Sequence, residues 1–263
     1  VTKEFYKLIM EKNWALILGG SSGLGLATAK KLAQNGYNIC IIHRDSRVDL
    51  VHIENDFQEI TLSGAELKSF NVDALKSEKR EAVLQELKTL FSPDEKVKVL
   101  VHSIAKGNLK PLNDLNLQDL QITLNAMALS LFDWSKALVT ASLFHKDARI
   151  VSFTSEGSEK AWPGYAAVSL AKASLEALTR SIALEYASVG IKANCIQAGV
   201  TETKSFKMIP GHEKLRENAI LKSPNGRLTT PEDVANAAYL LTTDEAKWIT
   251  GTVIKVDGGE SLR

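Results

Sequence analysis

Trp14-Ala-Leu-Ile-Leu18 runs directly into Gly19-Gly-Ser-Ser-Gly-Leu-Gly25, and from Leu24 to Asn35 the apolar residues recur at helical spacing until Gly36 closes the pattern. That order encodes a buried strand, a tight turn and a helix. Glycines at 19, 23 and 25 let the backbone approach a pyrophosphate, and the first amides of the helix offer it partial positive charge. The spacing Gly-x-x-x-Gly-x-Gly is wider than the usual dinucleotide fingerprint, and a glycine cluster alone can be no more than a turn. Its place after the first strand favours the dinucleotide reading, with Gly19, Ser21, Ser22, Gly23, Leu24 and Gly25 around the phosphates.

The same alternation continues outward. Asn38–Ile42, Leu67–Val72, Val97–Val101, Arg149–Phe153, Ile191–Gln197 and Thr252–Val256 read as further strands. Between them, helical patterns cover 48–64, 76–91, 115–144 (one or two helices), 165–188 and 231–241, while 203–222 looks irregular. Seven strands alternating with helices predict an α/β fold, a doubly wound, parallel, Rossmann-type sheet with helices on both faces. Ligands of such a sheet lie beyond the carboxyl ends of its strands. No internal repeat or linker divides the 263 residues, so one domain, 1–263, is expected.

Composition narrows the classes of function. The 32 basic and 31 acidic residues leave a net charge of +1 without long runs of one sign, which argues against nucleic acid or a membrane surface as partner. Cys40 and Cys195 sit in apolar strand-like runs and read as reduced core thiols; they make neither a disulfide framework nor a zinc site. His52, His102, His145 and His212 show no ligand spacing, so no metal is expected. Val1 to Asn13 is charged and mixed, and no run of ~18 apolar residues occurs, so the expected location is cytoplasmic.

Two side chains carry the chemistry. Tyr165 and Lys172 stand seven residues apart, two helical turns, so a phenol and an ammonium can face one groove. At the end of the second strand, where an acid suits the free ribose of NAD, this chain has His43 and Arg44. An arginine there suits a 2′-phosphate, favouring NADPH over NADH; Asp45 leaves open a plain surface pair with Arg44.

With these motifs assembled, the chain resembles the short-chain dehydrogenase/reductase superfamily from Gly19 to Val256-Asp-Gly-Gly259. Its departures resemble enoyl-acyl-carrier-protein reductases: His102-Ser-Ile-Ala105 replaces Asn-Asn-Ala-Gly, and Gln197-Ala-Gly199 replaces a Pro-Gly. Tyr-x6-Lys replaces Tyr-x3-Lys, leaving Val168 in the usual tyrosine position. Ser174-Leu-Glu-Ala-Leu-Thr-Arg180 and Ser223-Pro-Asn-Gly-Arg227 are similar to segments of the NADPH-using (type III) members. Many bacterial enoyl reductases have a second tyrosine where Ser155 stands, and Ser155 also matches the superfamily's serine. The resemblance implies that Asn71 and Val72 contact adenine, that Ser103, Ile104 and Ala105 line the cofactor, and that Gly199, Thr201 and Thr203 approach its carboxamide and phosphates. It matches Asn125 to the catalytic-tetrad asparagine, with a buried structural amide as the alternative, and it implies a homotetramer.

Conjugate reduction explains the moved tyrosine. In a 2-enoyl thioester the hydride goes to the β-carbon while negative charge develops on the thioester oxygen, so the donor must be displaced from the hydride acceptor. Three residues along a helix is about 4.5 Å on roughly the same face. Tyr165 is therefore assigned to the enolate oxygen and Lys172 to the nicotinamide ribose, with Ser155 either bonding substrate or finishing its strand. Segment 203–222 would cover the substrate, and its Lys204, Lys207, Lys214, Arg216 and Lys222 could receive an acidic carrier protein or simply be solvated. The expectation is an NADPH-dependent enoyl-acyl-carrier-protein reductase of fatty-acid elongation. The alternatives are a ketone or dienoyl-thioester reductase on the same scaffold and a dinucleotide sensor without turnover.

Overall fold

The computed structural model describes residues 13–92 and 94–263; the reading of Val1 to Lys12 lies outside the described residues. The elements run β1 (Asn13–Leu18), α1 (Gly23–Gln34), β2 (Asn38–His43), α2 (Arg47–Leu62), β3 (Leu67–Asn71), α3 (Ser77–Leu90) and β4 (Lys96–His102). They continue with α4 (Leu117–Leu124), α5 (Ser130–Thr140), β5 (Phe144–Thr154), α6 (Ala166–Glu185), β6 (Ile191–Ala198), α7 (Lys204–Lys207), α8 (His212–Lys222), α9 (Pro231–Leu240) and β7 (Val253–Val256). The strands form a seven-stranded sheet in the order β3-β2-β1-β4-β5-β6-β7, every pair parallel. This is the doubly wound Rossmann-type architecture that the alternation predicts.

Side-chain alternation in β1 builds both layers. Trp14, Leu16 and Leu18 point into a core completed by α3, α5 and α6, through residues such as Leu87, Trp134 and Leu175. Ala15 and Ile17 point into the opposite core, where Leu32 of α1, Phe57 of α2 and Val234 of α9 cover them. Strands buried on both faces read as continuous apolar runs, which is why periodicity locates them. Thr230 and Asp233 form a capping box that starts α9 ahead of Pro231.

Two expectations change. Segment 203–222 is helical, in α7 and α8, where the mixed charge suggests irregular structure; α8 buries only Ala219, so its sequence lacks an apolar stripe. Between α4 and α5 the chain passes through a π-helical turn, Asn125–Leu129, whose extra residue shifts the following face.

One tie links the core to the cleft. Buried Trp134 donates from Nε1 to the carbonyl of Ala74 at 2.9 Å, fixing the loop after β3. Trp134→Phe leaves that carbonyl without its donor, and urea denaturation should show stability lower by about 1–3 kcal/mol.

Candidate active site

The cleft opens where strand order reverses, beyond the carboxyl ends of β1 and β4, and encloses about 860 Å³. Its floor is the glycine turn. Gly19 has φ +82°, and a Cβ there would stand 2.7 Å from the Ser103 carbonyl oxygen; a Cβ on Gly25 would stand 2.2 Å from the Gly19 carbonyl oxygen. Only glycines allow β1, the turn and α1 to close this tightly. Ser22 is the N-cap of α1, yet its side chain makes no capping bond, and the first turn carries no acid. The amides there face the cleft uncovered by a side chain, a donor set that fits a pyrophosphate.

At the ribose end the partners differ from the sequence reading. Arg44 donates to Asp73 at 2.8 Å, not to Asp45. Asp45 meets His43 Nδ1 at 2.8 Å. Asn71, expected against adenine, instead turns its amide onto the main chain of Asp45, accepting from N–H at 3.0 Å and donating to C=O at 3.1 Å. Among the residues assigned to the cofactor, Gly25 and Asn71 stay off the cleft wall, and the others line it.

At the chemical end, Tyr165 is the N-cap of α6, placed by Gly164 at φ +75°. Its phenol lies 3.5 Å from Ser155 Oγ at the end of β5. Burial raises the Tyr165 pKa and the Ser155 contact lowers it, with a net rise, so the phenol is a protonated donor at neutral pH. Gly157 carries the ring: a Cβ there would lie 2.4 Å from Cε1. Lys172 is buried on the cleft wall and donates to the Phe153 carbonyl at 2.7 Å. An ammonium has three donors, so it can also hold ribose hydroxyls. Burial brings its pKa down to about 8. Burial, with the Lys172 charge second, also takes His102 down to about 3, so the imidazole is neutral beside the ammonium, its Nε2 2.7 Å from Ser130 Oγ.

Asn125 does not join this group. It is exposed at the start of the π-helical turn and off the cleft wall, whereas Met127 is buried and lines the cleft. An exposed residue off the cleft wall matches neither sequence reading of Asn125, the tetrad amide or the buried structural amide. Sequence reading also misses Gly157, Met127 and Trp162, whose ring packs 5.5 Å from that of Tyr165. The clue for Trp162 is its place three residues before the tyrosine; nothing in the sequence marks the other two. Phe206 and Ile209, from α7 and the residues after it, complete an apolar wall. A second cavity of about 450 Å³ shares Trp162, Tyr165, Leu109 and Ile209 with the first and extends past Pro111 and Pro210.

Residues 19–261 match the sequence profile of the family described as enoyl-(acyl carrier protein) reductase. The chain belongs to this family, within the short-chain dehydrogenase/reductase superfamily. The family's enzymes are NAD(P)(H)-dependent oxidoreductases, and the uncapped amides, the glycine cradle and Lys172 fit that cofactor. Among curated relatives, a probable 2,4-dienoyl-CoA reductase of Bacillus subtilis is 29% identical over 96% of this chain and 98% of its own. A (2S)-[(R)-hydroxy(phenyl)methyl]succinyl-CoA dehydrogenase subunit of Thauera aromatica is 28% identical over 94% and 96%. The crystal structure of an enoyl-[acyl-carrier-protein] reductase (NADH) from Aquifex aeolicus superposes with a TM-score of 0.83 at 26% identity, covering 97% and 98%. Among the described residues no helix is long and apolar enough to cross a membrane, and no cluster of three or more His, Cys, Asp or Glu could hold a metal.

Gly157→Ala pushes the Tyr165 ring from its seat; reductase turnover should fall about 10- to 100-fold while the dinucleotide dissociation constant is unchanged in a fluorescence titration. A second expectation concerns pH. Lys172 has a folded pKa of about 8 against 10.5 unfolded, so the charged form costs stability below about 8, and the cost is relieved as pH rises between the two values. Denaturation of dinucleotide-free protein should show wild type gaining on Lys172→Met across that window; parallel curves for the two would contradict the burial of a charged Lys172.

Proposed function

We propose that this protein is an NADPH-dependent enoyl-acyl-carrier-protein reductase that saturates the 2,3 double bond of enoyl thioesters in fatty-acid elongation. One observation carries the reading: the donor in the cleft is Tyr165, while the position of the superfamily's usual tyrosine holds Val168, buried and apolar. The bound dinucleotide supplies hydride. Tyr165 donates its hydrogen bond to the thioester oxygen as charge develops there, Ser155 orients the phenol, and Lys172 binds the ribose and adds positive potential.

The walls support the proposed substrate class. Phe206, Ile209 and Trp162 suit an acyl chain, and the second cavity gives it room beyond Tyr165. Segment 203–222 would be the cover, apolar inside through Phe206, Ile209 and Leu215. On its outer rim Lys204 and Arg216 are paired with Asp49 at 3.9 Å and Glu202 at 2.6 Å, and Lys207, Lys214 and Lys222 are the cations of this segment that suit an acidic acyl carrier protein. NADPH is favoured over the NADH named for the Aquifex relative because Arg44 lines the ribose end. Exposed Leu129 and Phe132 near α5, and Leu170 and Leu184 on α6, support a homotetramer, and a cytoplasmic location accompanies the reading.

The dienoyl relative favours a second reading, reduction of 2,4-dienoyl thioesters, for which the same donor would serve a longer conjugated oxyanion. Steady-state NADPH oxidation with 2-enoyl thioesters on carrier protein decides the matter. Wild type should turn over, and Tyr165→Phe should lose about 10²- to 10³-fold in kcat. Turnover of ketones or dienoyl thioesters but not of 2-enoyl thioesters rejects the first reading.

A further inference from the structure

Arg44 carries the preference for a 2′-phosphate, and in this structure its guanidinium is already engaged. It reaches across the cleft rim from the end of β2 to Asp73, beyond the end of β3, with Nη1 2.8 Å from Oδ2. Asp73 is fixed independently, its Oδ1 accepting from the Leu75 amide at 3.0 Å. The sequence neighbour Asp45 is held elsewhere: its carboxylate by His43 and its main chain by Asn71. Asp73, from a different strand end, is thus the counter-ion of Arg44, and both line the cleft.

We propose that Asp73 is a specificity-determining residue of the dinucleotide site: it holds Arg44 in an exchangeable ion pair that a 2′-phosphate must take over. This deepens the NADPH reading above and rests on it. A phosphate monoester, with about two negative charges and a geometry suited to two parallel N–H bonds, outcompetes a carboxylate for a guanidinium. Asp73 is not stranded by the exchange, because the Leu75 amide remains and the Lys106 charge acts on it from the same wall. NADH, with a hydroxyl in place of the phosphate, leaves the pair intact. Asp73 therefore weakens NADPH binding selectively, and modestly, since the Arg44 side chain is 56% exposed.

Titration of wild type, Asp73→Asn, Arg44→Ala and the double variant with NADPH and with NADH tests the exchange. Asparagine at this position keeps an oxygen for the Leu75 amide, so the loop retains its anchor; an NADH constant within about twofold of wild type verifies an intact site. Asp73→Asn should tighten NADPH about three- to fivefold, Asp73→Ser should do the same, and Arg44→Ala should abolish most of the gain. Unchanged NADPH affinity in Asp73→Asn, while Arg44→Ala still weakens NADPH alone, overturns the role of Asp73 and leaves the phosphate site standing. Full tightening in the Arg44→Ala background also overturns it, because Asp73 then acts by its own charge. If Arg44→Ala weakens both dinucleotides equally, the 2′-phosphate reading itself falls, and the inference with it.

Discussion

The contact of Gly25 beneath the Gly19 carbonyl is the constraint on which the site depends, since a single methyl group there would sit 2.2 Å from oxygen. It draws the start of α1 against the end of β1, and the Gly19 position in turn abuts the carbonyl of Ser103 after β4. Three chain segments meet here, with only the Ser103 Cβ close by. The uncapped amides of α1, the bend of β1 and the His102-Ser103-Ile104 corner are therefore placed by one packing event rather than by separate interactions.

Charge in the cleft is arranged by burial. Lys172 is the buried cation at the chemical end, and its neighbour His102 is held neutral, so the imidazole adds no second charge beside it. Tyr165 is kept protonated by the same means. A neutral donor near a fixed cation stabilises an oxyanion without first having to be ionised, which is how preorganised sites lower barriers.

The sheet is legible because its strands are buried on both faces and so appear as apolar runs; their limits shift by a residue or two, apart from β5, which begins at Phe144. The glycine turn and the Tyr165–Lys172 pair are legible because local spacing alone fixes them. Asn125 is not: it lies exposed at the start of a π turn, and such a turn leaves no mark in an apolar pattern. Asn71 and Arg44 show a related limit: their partners, Asp45 and Asp73, are chosen by how β2 and β3 align, a tertiary fact. Gly157 matters through contact with a ring eight positions on, which no one-dimensional signal reports.

The helix α8 fully buries a single alanine; its Leu215 and Ile220 are only half-buried and its Leu221 is exposed. A roof fastened by so little apolar surface lifts at small free-energy cost, in the way that weakly packed segments open locally while the rest of a fold stays shut. On the acyl-thioester reading proposed above, cargo would enter and leave sideways under α8 without disturbing the dinucleotide seat, and the tempo of the cycle would be a property of the roof rather than of the floor.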